Sequence, residues 1–226
     1  MLILASASKA RSFLLEKADI SHKSIVSDVD EEDFKSKDVK TLVKLLAFAK
    51  AKSVAEKVLK DYLDLDVLNK INGVIGCDSL FEFEGEIFGK PSSEVEALDR
   101  LKRMSSSFGY LHTGHTIILG EPSGSRRLFK SKAIVKDVVT TKIYFDEISI
   151  DEILNYIDTG EPFECAGGFS IEGKGGRFIS KIDGCYSNVI GLSLPWLRKV
   201  LLKNGLVEEI KFPEKSSNLL RTFLGI

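Results

Sequence analysis

The chain has 226 residues, 43% of them apolar and 29% charged, with a formal net charge of −1. Length and composition are those of a globular chain able to bury a substantial core. The near-zero charge balance argues against a general binder of nucleic acid or of anionic membrane surfaces, and no run approaches the roughly 18 apolar residues of a membrane span.

Leu2-Ile3-Leu4-Ala5 reads as a short buried strand, too short for the apolar core of a secretory signal, and Ser6-Ala7-Ser8 is the turn that leaves it. Ser8 can cap a helix to about Ala18, with Leu14 and Leu15 on its apolar face. Such a helix start offers unpaired amides and a positive dipole end to an anion. Lys9 and Arg11 sit in that first turn, against the dipole, as either a solvated basic face or the mark of an anionic ligand. His22–Val26 alternates loosely as a second strand. Asp28–Asp33 then holds five carboxylates in six residues. A solvated loop is the usual outcome of such a run, and a divalent-cation site is the competing one. Lys40 to about Lys60 is helical by its steps at Leu42, Val43, Leu46, Ala49, Val54 and Val58. Lysines crowd its first half, and one on the inner face could reach a phosphate. Asp61–Lys70 is a polar connector.

Gly73–Pro91 is the stretch around which the chain is arranged. Val74-Ile75-Gly76-Cys77 has the length of a buried strand, and Asp78 stands at its end beside Ser79. Leu80–Phe83 and Glu86–Phe88 alternate on either side of Glu84-Gly85, a tight hairpin. Lys90 follows, so a carboxylate and an ammonium on opposite sides of that hairpin can be brought close together, which suits a charged substrate. Ser93–Glu96 and Ser149–Glu152 are capping boxes opening two helices, the first with Val95, Leu98, Leu101 and Met104 as its buried stripe. Thr116–Gly120 and Leu128–Phe145 suggest a long antiparallel pair across the turn Glu121–Ser125. A glycine-rich loop, Gly167–Gly176, permits close backbone approach to a ligand. Phe178–Ile182 reads as a strand and Pro195–Leu202 as an apolar helix, ahead of a tail that is polar and then apolar. Cys77, Cys165 and Cys185 have no CxxC spacing, which points to reduced thiols and a cytoplasmic protein. His22, His112 and His115 match no nucleophile pattern and are expected to be structural or exposed.

Taken in order, LASAS, SDVDE, GCDS, GEIFGKP, TGEPFECAGGFSIEGKGG and NVIGLSLPWL closely resemble the motifs of the Maf family of nucleoside triphosphate pyrophosphatases, over about residues 2 to 203. The resemblance implies one α/β domain of the Maf/ITPase-like architecture, an elongated mixed sheet with flanking helices and a cleft between two lobes. It implies cleavage of a nucleoside triphosphate to monophosphate and pyrophosphate with Mg²⁺ or Mn²⁺, a homodimer, and a role in clearing non-standard nucleotides or in cell-division arrest. By the same resemblance Asp78 is the catalytic aspartate that activates water and, with Glu31, holds the metal; Ser6, Arg11, Lys50 and Lys90 line the triphosphate. Ser79 stands where the family usually has threonine and is counted with the substrate-binding residues. Physical chemistry agrees: a triphosphate needs fixed cations, and attack by water needs a base within reach.

Two departures stand out. The family's Ser-Pro-Arg-Arg is Ser8-Lys9-Ala10-Arg11 here, so one planar fork is replaced by a point charge, with weaker substrate binding as the expectation. In the dTTP/UTP-directed branch the later loop reads Ile-Gln-Gly, whereas this chain has Ile171-Glu172-Gly173. Glutamate and Cys165-Ala166-Gly167 resemble the branch directed at 7-methyl-GTP, while Ser170-Ile171 and Lys174-Gly175-Gly176 look as much like the other. A carboxylate only accepts hydrogen bonds, which suits the adjacent N1–H and N2–H₂ of guanine, so Glu172 is read as a base contact. The alternatives are a dTTP/UTP-directed enzyme, a nucleotide-binding division regulator without efficient turnover, and, weakly, nucleic-acid binding through the lysines of 35–60.

Overall fold

The computed structural model describes residues 1–61, 71–121 and 130–206. β1 (Leu2–Leu4) lies between β2 (His22–Ser24) and β3 (Gly73–Phe83) and runs parallel to both. From β3 outward the pairing is antiparallel, through β4 (Glu86–Phe88) on one end of β3 and then β5 (Phe108–Glu121), β6 (Lys130–Phe145) and β7 (Ile179–Asp183). Among the described residues the sheet has seven strands in the order β2-β1-β3-β5-β6-β7, with β4 off that path. The mixed α/β architecture is the one expected. Leu2, Ile3 and Leu4 are all fully buried because β1 is covered on both faces, which is why its sequence does not alternate.

Helices flank this sheet. α1 (Lys9–Lys17) and α5 (Leu194–Lys203) pack Leu14, Leu15, Trp196, Leu197 and Leu201 against Leu2, Leu4, Ile75 and Ile117. On the opposite face α2 (Val39–Asp61) sets Ala51, Val54 and Val58 on Ile3, Val74 and Ile118. A third core gathers Phe81, Phe83, Phe88, Phe145 and Phe169 with α3 (Glu94–Met104) and α4 (Ile150–Ile157). Phe81, Phe145 and Phe169 meet edge to face, as between Phe81 and Phe169 at 5.1 Å, the arrangement that aromatic quadrupoles favour.

Several expectations are corrected. β3 is one continuous strand, so Asp78 lies in its middle, opposite Gly114 of β5, and not at a strand end. β5 begins at Phe108, eight residues before the expected Thr116. The inward stripe of α3 is Ala97, Leu101 and Met104, with Leu98 partly buried, while Val95 is 78% exposed. Ser93 caps α3 by accepting from the Glu96 amide at 3.2 Å, but Glu96 turns its carboxylate to Ser92 instead of completing the box. The reciprocal box at Ser149–Glu152 is present, and the Glu84-Gly85 hairpin has both residues at positive φ, 50° and 81°. On α2, Leu42 and Ala49 are only half-buried, while the expected Val43, Val54 and Val58 are fully buried together with Ala47 and Ala51. The connector after Asp61, the turn at 122–125 and the tail beyond 206 lie outside the described residues.

Candidate functional site

Two glycines fix the centre of the site. A β-carbon on Gly76 would stand 2.3 Å from the Ala47 carbonyl oxygen, and one on Gly114 would stand 2.0 Å from that of Val43. With neither β-carbon present, the backbone of α2 lies directly on β3 and β5. The side chain three residues beyond Ala47 is Lys50, which reaches Asp78 on the same face of β3.

Lys50 Nζ donates to Asp78 Oδ1 at 2.5 Å and also lies 2.7 Å from Glu31 Oε1. Asp78 is buried, and burial pushes its carboxyl above the ordinary range; Lys50 and then Arg11 oppose that shift without cancelling it. Glu31 opens a short 3-10 turn capped by Asp30, whose Oδ1 accepts from the Glu32 amide at 3.0 Å. Of the acidic run only Glu31 is placed on Lys50, with Asp28 paired instead to Lys57. Lys35, Lys37, Lys40, Lys44 and Lys52 are all exposed, and Lys50 is the inner lysine of this set.

The turn after β1 supplies the second cation. Ser8 Oγ accepts from the Arg11 amide at 3.3 Å, starting α1 as expected. Arg11 Nε donates to the Gly191 carbonyl at 2.8 Å, Nη1 to Ser6 Oγ at 3.2 Å and Nη2 to Ser79 Oγ at 3.0 Å. That fixes the guanidinium plane and leaves two of its five N–H groups for a ligand. Gly191, at φ +120°, brings its carbonyl there because a β-carbon would meet Arg11 Nε at 3.0 Å. Ser79 Oγ lies 3.0 Å from Thr113 Oγ1, which donates to the Asn188 carbonyl at 3.3 Å. Since Thr113 spends its one proton on the Asn188 carbonyl, Ser79 is the donor to Thr113, and the donors run one way into the fold. Asn188 is fully buried and donates to the Val139 carbonyl and Thr141 Oγ1 at 3.1 Å each. These supports were not expected from the sequence. The motif NVIGLSLPWL contains Asn188 and Gly191, but a carbonyl and a buried amide carry no pattern that assigns them this work.

Ser6, Arg11, Glu31, Lys50, Asp78 and Ser79 line one cavity of about 910 Å³. Lys90 and Glu172 line it as well, alongside Glu164, Cys165 and Phe169. Lys90 is 60% exposed and sits 3.7 Å from Glu164, so the ammonium on Asp78 is that of Lys50, a correction to the expected pairing across the hairpin. Among the described residues no group of three or more His, Cys, Asp or Glu side chains is placed to hold a metal ion. Two carboxylates nevertheless converge on the point occupied by the Lys50 ammonium. Such a pair suits Mg²⁺ or Mn²⁺ completed by substrate phosphates and water.

Thiol and imidazole chemistry have little support here. Burial pushes the Cys77 and Cys165 thiols up to about 11, which keeps them protonated near neutrality. His115 is buried against Trp196, and burial and the nearby Arg11 lower its pKa to about 3. His112 is buried between Thr140 and Glu82, and burial lowers its basicity too.

A buried carboxylate, a lysine clamped to it and an arginine held at a helix start define a class: an α/β protein with a cleft where two fixed cations flank a buried acid. The chain belongs to the Maf-like proteins, whose family model matches residues 1–204. It is 49% identical over 203 residues to a nucleoside triphosphate pyrophosphatase of Prochlorococcus marinus (strain MIT 9312), covering 90% of this chain and 98% of that one. It is 50% identical over 207 residues to the nucleoside triphosphate pyrophosphatase of Prochlorococcus marinus (strain NATL1A), covering 91% and 97%. A protein of the same name from Parasynechococcus marenigrum (strain WH8102) is 48% identical over 201 residues, covering 89% and 94%. Among the described residues no helix is long and apolar enough to cross a membrane.

Proposed function

We propose that the chain is a metal-dependent nucleoside triphosphate pyrophosphatase, in which Asp78 activates a water for attack on the α-phosphorus. The observation that carries this reading is the buried Asp78–Lys50 contact in the cavity that Arg11 also lines. Asp78 takes a proton from the water as its oxygen bonds to phosphorus. The bond from the α-phosphorus to the bridging oxygen breaks, and pyrophosphate leaves with that oxygen. Arg11, Ser6, Lys50 and Lys90 meet the triphosphate charge, which is why no covalent intermediate on the protein is needed. Asp78 and Glu31 would hold Mg²⁺ or Mn²⁺, which supplies further neutralisation of the phosphate oxygens.

For the base we assign a guanine ring, plain or 7-methylated, with Glu172 accepting from N1–H and N2–H₂. Uracil and thymine offer a single N–H between two carbonyls, so one carboxylate oxygen would be left facing a carbonyl. An unmatched polar contact of that kind costs about 1–3 kcal/mol, about fivefold to a hundredfold in preference. The test is a panel of nucleoside triphosphates with pyrophosphate detection, including 7-methyl-GTP, GTP, UTP and dTTP, with Asp78→Asn as control. Metal-dependent pyrophosphate release abolished by Asp78→Asn supports the activity. A clear pyrimidine preference overturns the base assignment and leaves the activity standing, whereas nucleotide binding without turnover favours a regulator.

A further inference from the structure

The segment 170–175 brings Glu172 to the cavity, yet Glu172 itself is exposed. What fixes the segment lies behind it. Glu161, eleven residues earlier in the TGEP turn, aims its carboxylate at the loop backbone: Oε2 accepts from the Lys174 amide at 2.9 Å and Oε1 from the Gly175 amide at 2.9 Å. The Tyr156 hydroxyl donates to Glu161 Oε1 at 2.8 Å and accepts from the Ser170 amide at 3.3 Å. Both ends of the segment are therefore tied to one Tyr–Glu pair, and Glu172 lies between the ties. Gly173 permits this closeness, because a β-carbon there would stand 2.5 Å from both Glu161 carboxylate oxygens. Tyr156 is anchored in turn, buried with its ring 5.2 Å from that of Phe178. Neither Tyr156 nor Glu161 lines the cavity.

We infer that Glu161 and Tyr156 are positioning residues that set base discrimination by holding the Glu172 loop in register. This inference rests on the assignment of Glu172 to the base. Charge-assisted bonds to backbone amides are about twice as strong as neutral ones, and three donors on one carboxylate leave it little freedom to turn away. A loop held from outside the cavity keeps its reading group fixed while remaining free to meet the ligand. The attacking water and the phosphates are served by Asp78, Lys50 and Arg11, none of which touches this pair, so the pair acts on binding of the base and not on the chemical step.

The experiment compares Glu161→Ala, Glu161→Gln and Tyr156→Phe with wild type on 7-methyl-GTP, GTP and UTP, with KM and kcat separated. Glu161→Ala is expected to raise KM for the preferred base by about tenfold and to bring the kcat/KM ratio between bases close to one, with kcat within about twofold. Glu161→Gln, whose amide oxygen still accepts, is expected to retain part of the ratio. In a Glu172→Ala background the same substitution should add little, because the group it positions is gone. An equal loss of kcat for every base with the ratio unchanged overturns the inference. Amide exchange separates its failure from failure of the activity itself. Faster exchange at Lys174 and Gly175 in Glu161→Ala, with the sheet still protected, supports the clamp even if no nucleotide is cleaved, and unchanged exchange sinks it.

Discussion

Asp78 must be ionised to act as a base, in a place where burial favours its neutral form. A carboxyl whose folded pKa is raised contributes stability below its unfolded pKa, and that contribution is lost as pH rises through the folded value. Ionising Asp78 in the folded chain therefore costs stability, partly offset by Lys50. Asp78→Asn should remove about 10²–10⁴-fold of pyrophosphate release and raise the melting temperature at pH 7; a lower melting temperature there would contradict the sign. The acid limb of kcat/KM should fall above the ordinary carboxylate range, since the base is lost as it protonates. Lys50→Met removes the main opposing charge and should move that limb to still higher pH, a shift a pH–rate profile reads directly. At this scale the motifs led to residues that share one cavity, because acids and cations in a motif advertise their chemistry. Their partners did not: Lys90 is the ammonium nearest Asp78 across the hairpin in sequence, but Lys50 is the one bonded to it, since only the helix packing decides which ammonium arrives.

That packing rests on Gly76 and Gly114, which let α2 lie on β3 and β5 with no side chains between. A β-carbon at Gly114 has a backbone carbonyl in its way, so relief requires α2 to lift as a unit. Gly114→Ala should cost about 1–3 kcal/mol, a fall of about 2–4 °C in melting temperature per kcal/mol, and should lower turnover in the molecules that stay folded because Lys50 lifts with the helix. Gly85→Ala is the contrast: at φ +81° it strains a hairpin tip with open space around it, and should lower stability by about 1 kcal/mol without touching turnover. Chemical denaturation paired with single-turnover rates distinguishes the two. Elements with a strong local signal were legible, including α1 from its Ser8 cap, the Glu84-Gly85 hairpin and the box at Ser149. The first half of β5 was not, because Gly109, His112, Gly114 and His115 break the apolar alternation. Their roles, making room for Phe81 and α2 or bonding inside the fold, come only from tertiary contacts. Val95 misled for a related reason: its spacing fits the stripe, but the surface that α3 meets lies one step around the helix.

Across the whole molecule the cavity draws on segments far apart in the chain. Arg11 and Lys50 come from the end of the sheet that α1 and α2 cover from opposite faces, and Lys90 and Glu172 from the side built on the Phe81–Phe169 core. A ligand that touches both sides and binds only the folded chain must stabilise the chain as a whole. At a hundredfold excess over its dissociation constant that stabilisation is about 2.7 kcal/mol, which for a chain of this size means about 5–10 °C in melting temperature. A nucleoside triphosphate whose α–β bridge cannot be cleaved should produce this shift with Mg²⁺ or Mn²⁺ present. Asp78→Asn should keep much of the shift with the analogue, since the triphosphate grip does not depend on the base catalyst alone. Arg11→Ala should lose most of it, because Lys9 and Ala10 leave no second guanidinium in that turn to take over the phosphate. Equal shifts in wild type and Arg11→Ala would remove the helix-start arginine from the binding site. A shift given by pyrophosphate but not by the nucleotide analogue would mean that the cavity holds phosphate without reading the nucleoside. Loss of the shift on replacing Glu172 alone, with pyrophosphate binding kept, would tie the two sides of the cavity to the two ends of one ligand.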